Sequence, residues 1–258
     1  MFWECHIVSS SIDKLLDQPA ENVKLQDFLD ENDLIQECLT QNPRLLEYLV
    51  QKDVMKELIE HMIKCPADNN NFHNAQIVSE LLSGDFPRIQ EQLLERDHLD
   101  LLYSFLHSTD NQFHLNPILA SYFARVLTTL IIRKPDEVLT FFKSCPNFKR
   151  DFFQHLYSTS IADLLYRFIA DFGEQRAEAI AWYAEIHLMD ELIQELLTTE
   201  SAYVQMNIVN LLSEFLRLAF DQHNGMDNDF PGNTTFTLST LSSTMESPLY
   251  NGDQINEG

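Results

Sequence analysis

The chain has 258 residues, 45% of them hydrophobic and 18 of them Phe, which is ample for a packed core and excludes a disordered chain overall. A net charge of −23 argues against nucleic acid or an anionic membrane as partner, because both need a basic face to displace counterions. Only Gly84 and Gly173 precede residue 224, and neither sits in a phosphate cradle or nucleophile elbow, motifs that depend on glycine backbone geometry.

The first residues, MFWECHIVSS, show no basic region followed by an apolar run, so no signal peptide is expected. No apolar stretch approaches the ~18 residues of a membrane span. Cys5, Cys38, Cys65 and Cys145 are widely spaced without a CxxC, which suits reduced thiols in the cytoplasm or nucleus.

Ser10 to Asp13 reads SSID, the S-x-x-D form of a helix start, with Leu15 and Leu16 as its first apolar pair. Residues 23–41 then place Leu25, Phe28 and Leu29, followed by Leu34, Ile35, Cys38 and Leu39, on helical faces. Asn42-Pro43 is a cap followed by a proline, and Asn116-Pro117 repeats it. From Pro117 the spacing predicts a helix of about 18 residues. Its apolar face is Leu115, Ile118, Leu119, Tyr122, Phe123, Val126, Leu127, Leu130 and Ile131, widened by Ala120, Ala124 and Ile132, so burial on most sides is expected. Arg133 and Lys134 close this helix, and Pro135 starts another with Asp136 and Glu137 in its first turn.

Four segments share apolar residues at relative positions 0, 4, 5 and 8: Val54-Leu58-Ile59-Met62, His98-Leu102-Tyr103-Leu106, Phe148-Phe152-Phe153-Leu156 and Leu188-Leu192-Ile193-Leu196. His98 is the weak match. The starts lie 44, 50 and 40 residues apart, close to the period of about 40–47 in HEAT and armadillo repeats. Companion helices begin near Ile77, Val126, Asp163 and Asn207, so each repeat reads as a pair or triplet of helices. The expected fold is all-α: an armadillo/HEAT-like helical repeat solenoid over residues 1–223, then a disordered polar tail over 224–258, which has no Lys or Arg and is rich in Ser, Thr and Asn. The last helix carries Ile208, Leu211, Leu212, Phe215, Leu216, Leu218 and Phe220, more than one buried face requires, which predicts a sticky C-terminal end.

Chemistry is hard to place on this pattern. His61 and Cys65 are one helical turn apart, but no third or fourth ligand accompanies them, so no metal and no cofactor is expected. His107 and His114 flank a polar loop and read as solvent-facing. The carboxylates read as solvated helix faces. Stacked helices instead present an extended surface suited to holding another protein.

Several blocks, in order, resemble the SAPS family of regulatory subunits associated with phosphatase-6-type serine/threonine phosphatases. They are Met1-Phe2-Trp3, Ser10 to Leu16, LIQECLTQN from Leu34, ELLSGD from Glu80, LASYFARVLTTLIIRKP from Leu119, and His155 to Phe168. The chain departs from the family at Lys64-Cys65-Pro66, and the family's helical region continues where this chain has its polar tail. The resemblance implies a non-catalytic, armadillo-like subunit that binds the phosphatase catalytic subunit and helps direct its substrate choice or location. Within the matching blocks, Glu37, Gln41, Asn42, Glu80, Asp85, Arg133, Lys134, His155, Asp163 and Arg167 are the candidate partner contacts. Each also has a local reading: Glu37 and Glu80 as solvated positions, Arg133 and Lys134 as helix closers, Asp163 as the partner of Ser160 in a second S-x-x-D start. An alternative keeps the armadillo-like adaptor but gives it other partners, such as ankyrin-repeat regulatory proteins, with phosphatase binding lost in a short form.

Overall fold

The computed structural model describes residues 10–19, 22–64, 72–107 and 114–225, with side chains to residue 220. The disordered-tail expectation and the departure at Cys65-Pro66 therefore fall outside the described residues, as does Cys65 of the His61 pair. By compactness the chain divides into residues 1–212 and 213–258.

All regular structure among the described residues is helical. In the first unit the helices follow one another in triplets: α1 (Ser11–Leu16), α2 (Leu25–Leu29) and α3 (Leu34–Leu39); α4 (Pro43–Leu49), α5 (Lys52–Ile63) and α6 (His73–Ser83); α7 (Pro87–Leu93), α8 (Arg96–Tyr103) and α9 (Pro117–Arg133); α10 (Pro135–Lys143), α11 (Phe148–Phe153) and α12 (Thr159–Ala170). A last set is α13 (Arg176–Glu185), α14 (Leu188–Thr198) and α15 (Ala202–Gly225). Like packs on like: α1 on α4, α2 on α5, α3 on α6, α4 on α7, α5 on α8, α6 on α9 and α9 on α12. The third helices begin at residues 73, 117, 159 and 202, intervals of 44, 42 and 43. The expected helical solenoid is thus present in this unit, and its repeat is the triplet.

Local chemistry sets the boundaries. Proline opens the first helix of three successive triplets, at Pro43, Pro87 and Pro135. There its missing N–H costs nothing, and it biases the preceding residue away from α geometry; at Pro135 that residue is Lys134, where α9 ends. The Asn42 side chain accepts from the N–H groups of Arg44 and Leu45 at 3.2 and 3.3 Å, and Asn116 does the same for Ile118 and Leu119 at 3.0 and 3.3 Å. Ser10 caps α1 by accepting from Asp13 N–H at 3.1 Å. Gln41 closes α3 in the left-handed region with φ 58°: its own N–H reaches Cys38 O and the Asn42 N–H reaches Glu37 O, both at 3.0 Å, the double bond of a Schellman turn.

The four segments of the apolar template are the second helices α5, α8, α11 and α14. His98, the weak match, is buried because its two ring nitrogens meet carbonyls, Gln92 O at 2.8 Å and Lys52 O at 3.3 Å. The last template position has a further use. The carbonyl of Leu106 accepts from Gln154 Nε2 at 3.1 Å and His155 Nε2 at 2.6 Å, and that of Leu156 accepts from Asn207 Nδ2 at 2.8 Å. Carbonyls left over where a second helix ends are thus satisfied by side chains of the following triplet. Between α10 and α13 the core is aromatic. Phe142 meets Phe168 at 4.6 Å, and Phe148 meets Phe152 and Trp182, each at 4.7 Å between centroids.

Three expectations need correction. Ile118 and Ile132 on α9 are 42% and 58% exposed, because they belong with Ser121, Arg125 and Thr129 to the helix stripe opposite Phe123 and Leu130. Leu39 is exposed, since the Schellman turn at Gln41 ends α3 with that side chain outward. Asp163 does not serve a cap: α12 begins at Thr159 after Ser158, and Asp163 instead accepts from Arg167 Nε at 2.8 Å.

Candidate functional site

α6 packs on α9 and α9 on α12, and each of the three helices has an exposed stripe. The α6 stripe carries Glu80. The α9 stripe carries Ile118, half-buried Tyr122, Arg125 and Ile132, and the α12 stripe carries Asp163 with half-buried Tyr166 and Arg167. Of these, tyrosine and arginine are the residue types enriched where proteins bind one another.

The structure sorts the ten candidate residues. Six lie on or at the ends of these three helices: Glu80, Asp85, Arg133, Lys134, Asp163 and Arg167. Arg133 at the end of α9 forms an ion pair with Asp85 just past the end of α6, joining adjacent triplets. Arg167 bridges Asp163 and Asp171 at 2.8 and 3.0 Å, and the Asp163 hydrogen bond raises its already high pKa further. Glu80 accepts from Gln76 at 3.2 Å on the same helix. Lys134 is half-buried where α9 passes into α10.

The other four serve the fold. Asn42 caps α4 and donates to Glu37 Oε2 at 3.0 Å and Asp13 Oδ1 at 3.3 Å, so its amide and that Glu37 oxygen are engaged within the chain. Gln41 supplies the left-handed turn. His155 is 1% exposed and is a correction to the list, because no partner can reach it. Its Nε2–H donates to Leu106 O, which leaves Nδ1 to accept from the Tyr157 hydroxyl at 3.4 Å. Burial pushes its pKa below the ordinary 6.5, favouring this neutral form.

Arg125 and Tyr166 were not among the candidate contacts, and Ile118, Tyr122 and Ile132 were read as part of the buried apolar face. A signal was available: on α9 the two outward isoleucines fall fourteen positions apart, two heptads, with Arg125 midway between them.

The two described cysteines are muted. Burial, then Glu37, pushes the Cys38 thiol up to about 12, and burial raises Cys145 to about 11, so both stay protonated and unreactive at neutral pH. Among the described residues no group of three or more His, Cys, Asp or Glu could hold a metal ion. Among the described residues His61 pairs with Glu57, at 3.8 Å. His107 and His114 are exposed as expected, yet each has a neighbour: His107 lies 3.2 Å from Asp151, and His114 packs edge-on to Tyr157 at 4.2 Å. No described helix is long and apolar enough to cross a membrane.

Residues 127–247 match the family model SAPS, SIT4 phosphatase-associated protein. Over 230 residues the chain is 34% identical to "Serine/threonine-protein phosphatase 6 regulatory subunit 3" of Gallus gallus, covering 86% of this chain and 26% of that protein. It is 31% identical to regulatory subunit 2 of Homo sapiens, covering 86% of this chain and 23% of the relative. With "Extragenic suppressor of kinetochore protein 1" of Schizosaccharomyces pombe it shares 32% identity over 221 residues, 81% of this chain and 26% of that one. The chain spans about a quarter of the length of the curated relatives it matches. No solved structure matches. With the helical repeat array and these matches together, the chain belongs to the SAPS family.

Proposed function

We propose that this protein is a non-catalytic regulatory or scaffold subunit that binds a phosphatase-6-type serine/threonine phosphatase catalytic subunit and helps direct its substrate choice or location. The observation that carries this reading is the packed row of α6, α9 and α12, each with an exposed stripe, which between them carry tyrosine, arginine and isoleucine. Its relatives' names supply the partner. A rigid array of this kind can hold and orient a catalytic subunit through surface contacts alone. The muted thiols and the neutral, buried His155 agree with a role that leaves the chemistry to that subunit. The widely spaced cysteines, without a CxxC, support a place in the cytoplasm or nucleus.

Immobilised full-length chain, offered the purified catalytic subunit, tests the proposal. Retention of the catalytic subunit, with no phosphatase activity in the chain alone, is the expected result. Failure to retain it, with retention of an ankyrin-repeat protein instead, would select the adaptor reading.

A further inference from the structure

Along the second helices, a cation near the start of one helix reaches into the following triplet. Lys52, the first residue of α5, pairs with Asp97 of α8, and Lys149 of α11 pairs with Glu191 of α14. Arg96, the first residue of α8, holds the corresponding place between them, yet its Nη1 donates at 2.7 Å to the hydroxyl of Ser144, 48 residues away. Where the bridges on either side end on a carboxylate, this one ends on a neutral oxygen.

The Arg96 guanidinium is already fixed in position. Its Nε donates to Asp100 at 2.8 Å, and its central carbon lies 5.0 Å from the centre of the Phe141 ring. Ser144 is exposed, so the hydroxyl that Arg96 reaches is open to an enzyme. Ser79 also receives a guanidinium, that of Arg125 at 3.5 Å, but it is fully buried.

A phosphoserine carries a charge of about −1.5 to −2 and three strong acceptor oxygens, and a guanidinium receives phosphate through two parallel hydrogen bonds. Modifying the Ser144 hydroxyl orphans no backbone group, because the Phe141 carbonyl it donates to at 2.6 Å also accepts from the Ser144 N–H at 3.0 Å. Two features oppose the added charge: Ser144 follows α10, whose carbonyl end disfavours an anion, and Asp100 shares the same guanidinium. Lys143, its neighbour in sequence, pairs with Glu178. The sign of the modification's effect therefore turns on Arg96.

We propose that Ser144 is a phosphorylation site whose phosphate is received by Arg96, fastening the third triplet to the fourth. The γ-phosphoryl group of ATP passes to the Ser144 oxygen in a protein kinase: an O–P bond forms at the serine, the bond to the departing ADP breaks, and the hydroxyl proton goes to the kinase's base. This site does not rest on the phosphatase reading, and none of its tests involves the catalytic subunit.

Phosphoserine installed at position 144 of the full chain is expected to raise the thermal midpoint by about 2–4 °C. In an Arg96→Gln background, measured against that variant's own unphosphorylated form, the rise is expected to vanish or reverse. Should Arg96→Gln unfold, Arg96→Lys keeps the charge without the fork and is expected to show a smaller rise. A midpoint that phosphoserine leaves unmoved or lowers in the parent chain, or a rise that these substitutions leave intact, would overturn the inference. In the full chain purified from eukaryotic cells under phosphatase inhibitors, mass spectrometry is expected to find a phosphate on the tryptic peptide 144–149, and its absence there would also overturn the inference.

Discussion

Helices α9 and α15 hold the same place in their triplets and are covered very differently. On α9, with α6 on one side and α12 on the other, Leu119, Phe123, Val126, Leu127, Leu130 and Ile131 are all buried. On α15, Ile208 and Leu211 are the buried apolar residues, while Tyr203, Met206 and Phe220 face outward. Both helices are rich in apolar residues, so composition does not separate them. Coverage by neighbouring helices does, and the apolar area removed from water is what stabilises each position. Part of the exposed apolar area on α15 lies at Tyr203 and Met206, nearer the start of the helix than the residues that suggested a sticky C-terminal end.

The sharpest way to break this comparison is truncation on each helix. Phe123→Ala should cost about 3–5 kcal/mol, transfer and cavity together, whereas Met206→Gln should stay within about 0.5 kcal/mol. Urea unfolding midpoints measure both, and similar losses at the two positions would refute the contrast. Next in size is the clasp between triplets. Asn207→Leu leaves the buried Leu156 carbonyl without its donor and should cost about 1–3 kcal/mol.

The corresponding clasp at His155 makes a pH prediction with a definite sign. Its folded pKa lies below the ordinary 6.5, so below that pH the unfolded chain binds a proton that the folded chain refuses. Stability contributed by neutral His155 is therefore complete above about pH 6.5 and lost as pH falls beneath it. A His155→Gln variant should show a shallower stability decline between neutrality and mild acid than the parent, and an identical slope would remove His155 from the account. Smallest is Gln41→Gly: at φ 58° glycine relieves left-handed strain, and a gain of about 0.5–1 kcal/mol is expected in thermal unfolding.

Much of the array was legible because its boundaries are local. Ser10, Asn42, Asn116 and the prolines act on neighbouring backbone groups, so their roles can be read without knowing what packs where. The spacing of the second helices was legible too, down to the weak match at His98, whose partners are carbonyls that no sequence pattern shows. What escaped depends on distant neighbours. Ile132 is as apolar as Ile131, and only the placement of α6 and α12 decides that one is buried and the other exposed. His155 sits within a family block and so looked like a contact, yet the reason for a histidine there is the Leu106 carbonyl 49 residues earlier. Gly84, in the ELLSGD block, has a packing reason of the same kind, since a Cβ there would collide with the buried ring of Phe86.

The central claim is that the outward stripes of α6, α9 and α12 hold the catalytic subunit. The direct measurement is the affinity of the purified catalytic subunit for a chain carrying Glu80→Lys, Arg125→Glu and Asp163→Lys together, beside a control with Glu57→Lys and Asp100→Lys on the second helices α5 and α8. The account predicts a loss of about a hundredfold or more for the row variant and little change for the control. Equal affinities for the row variant and the parent chain would contradict it.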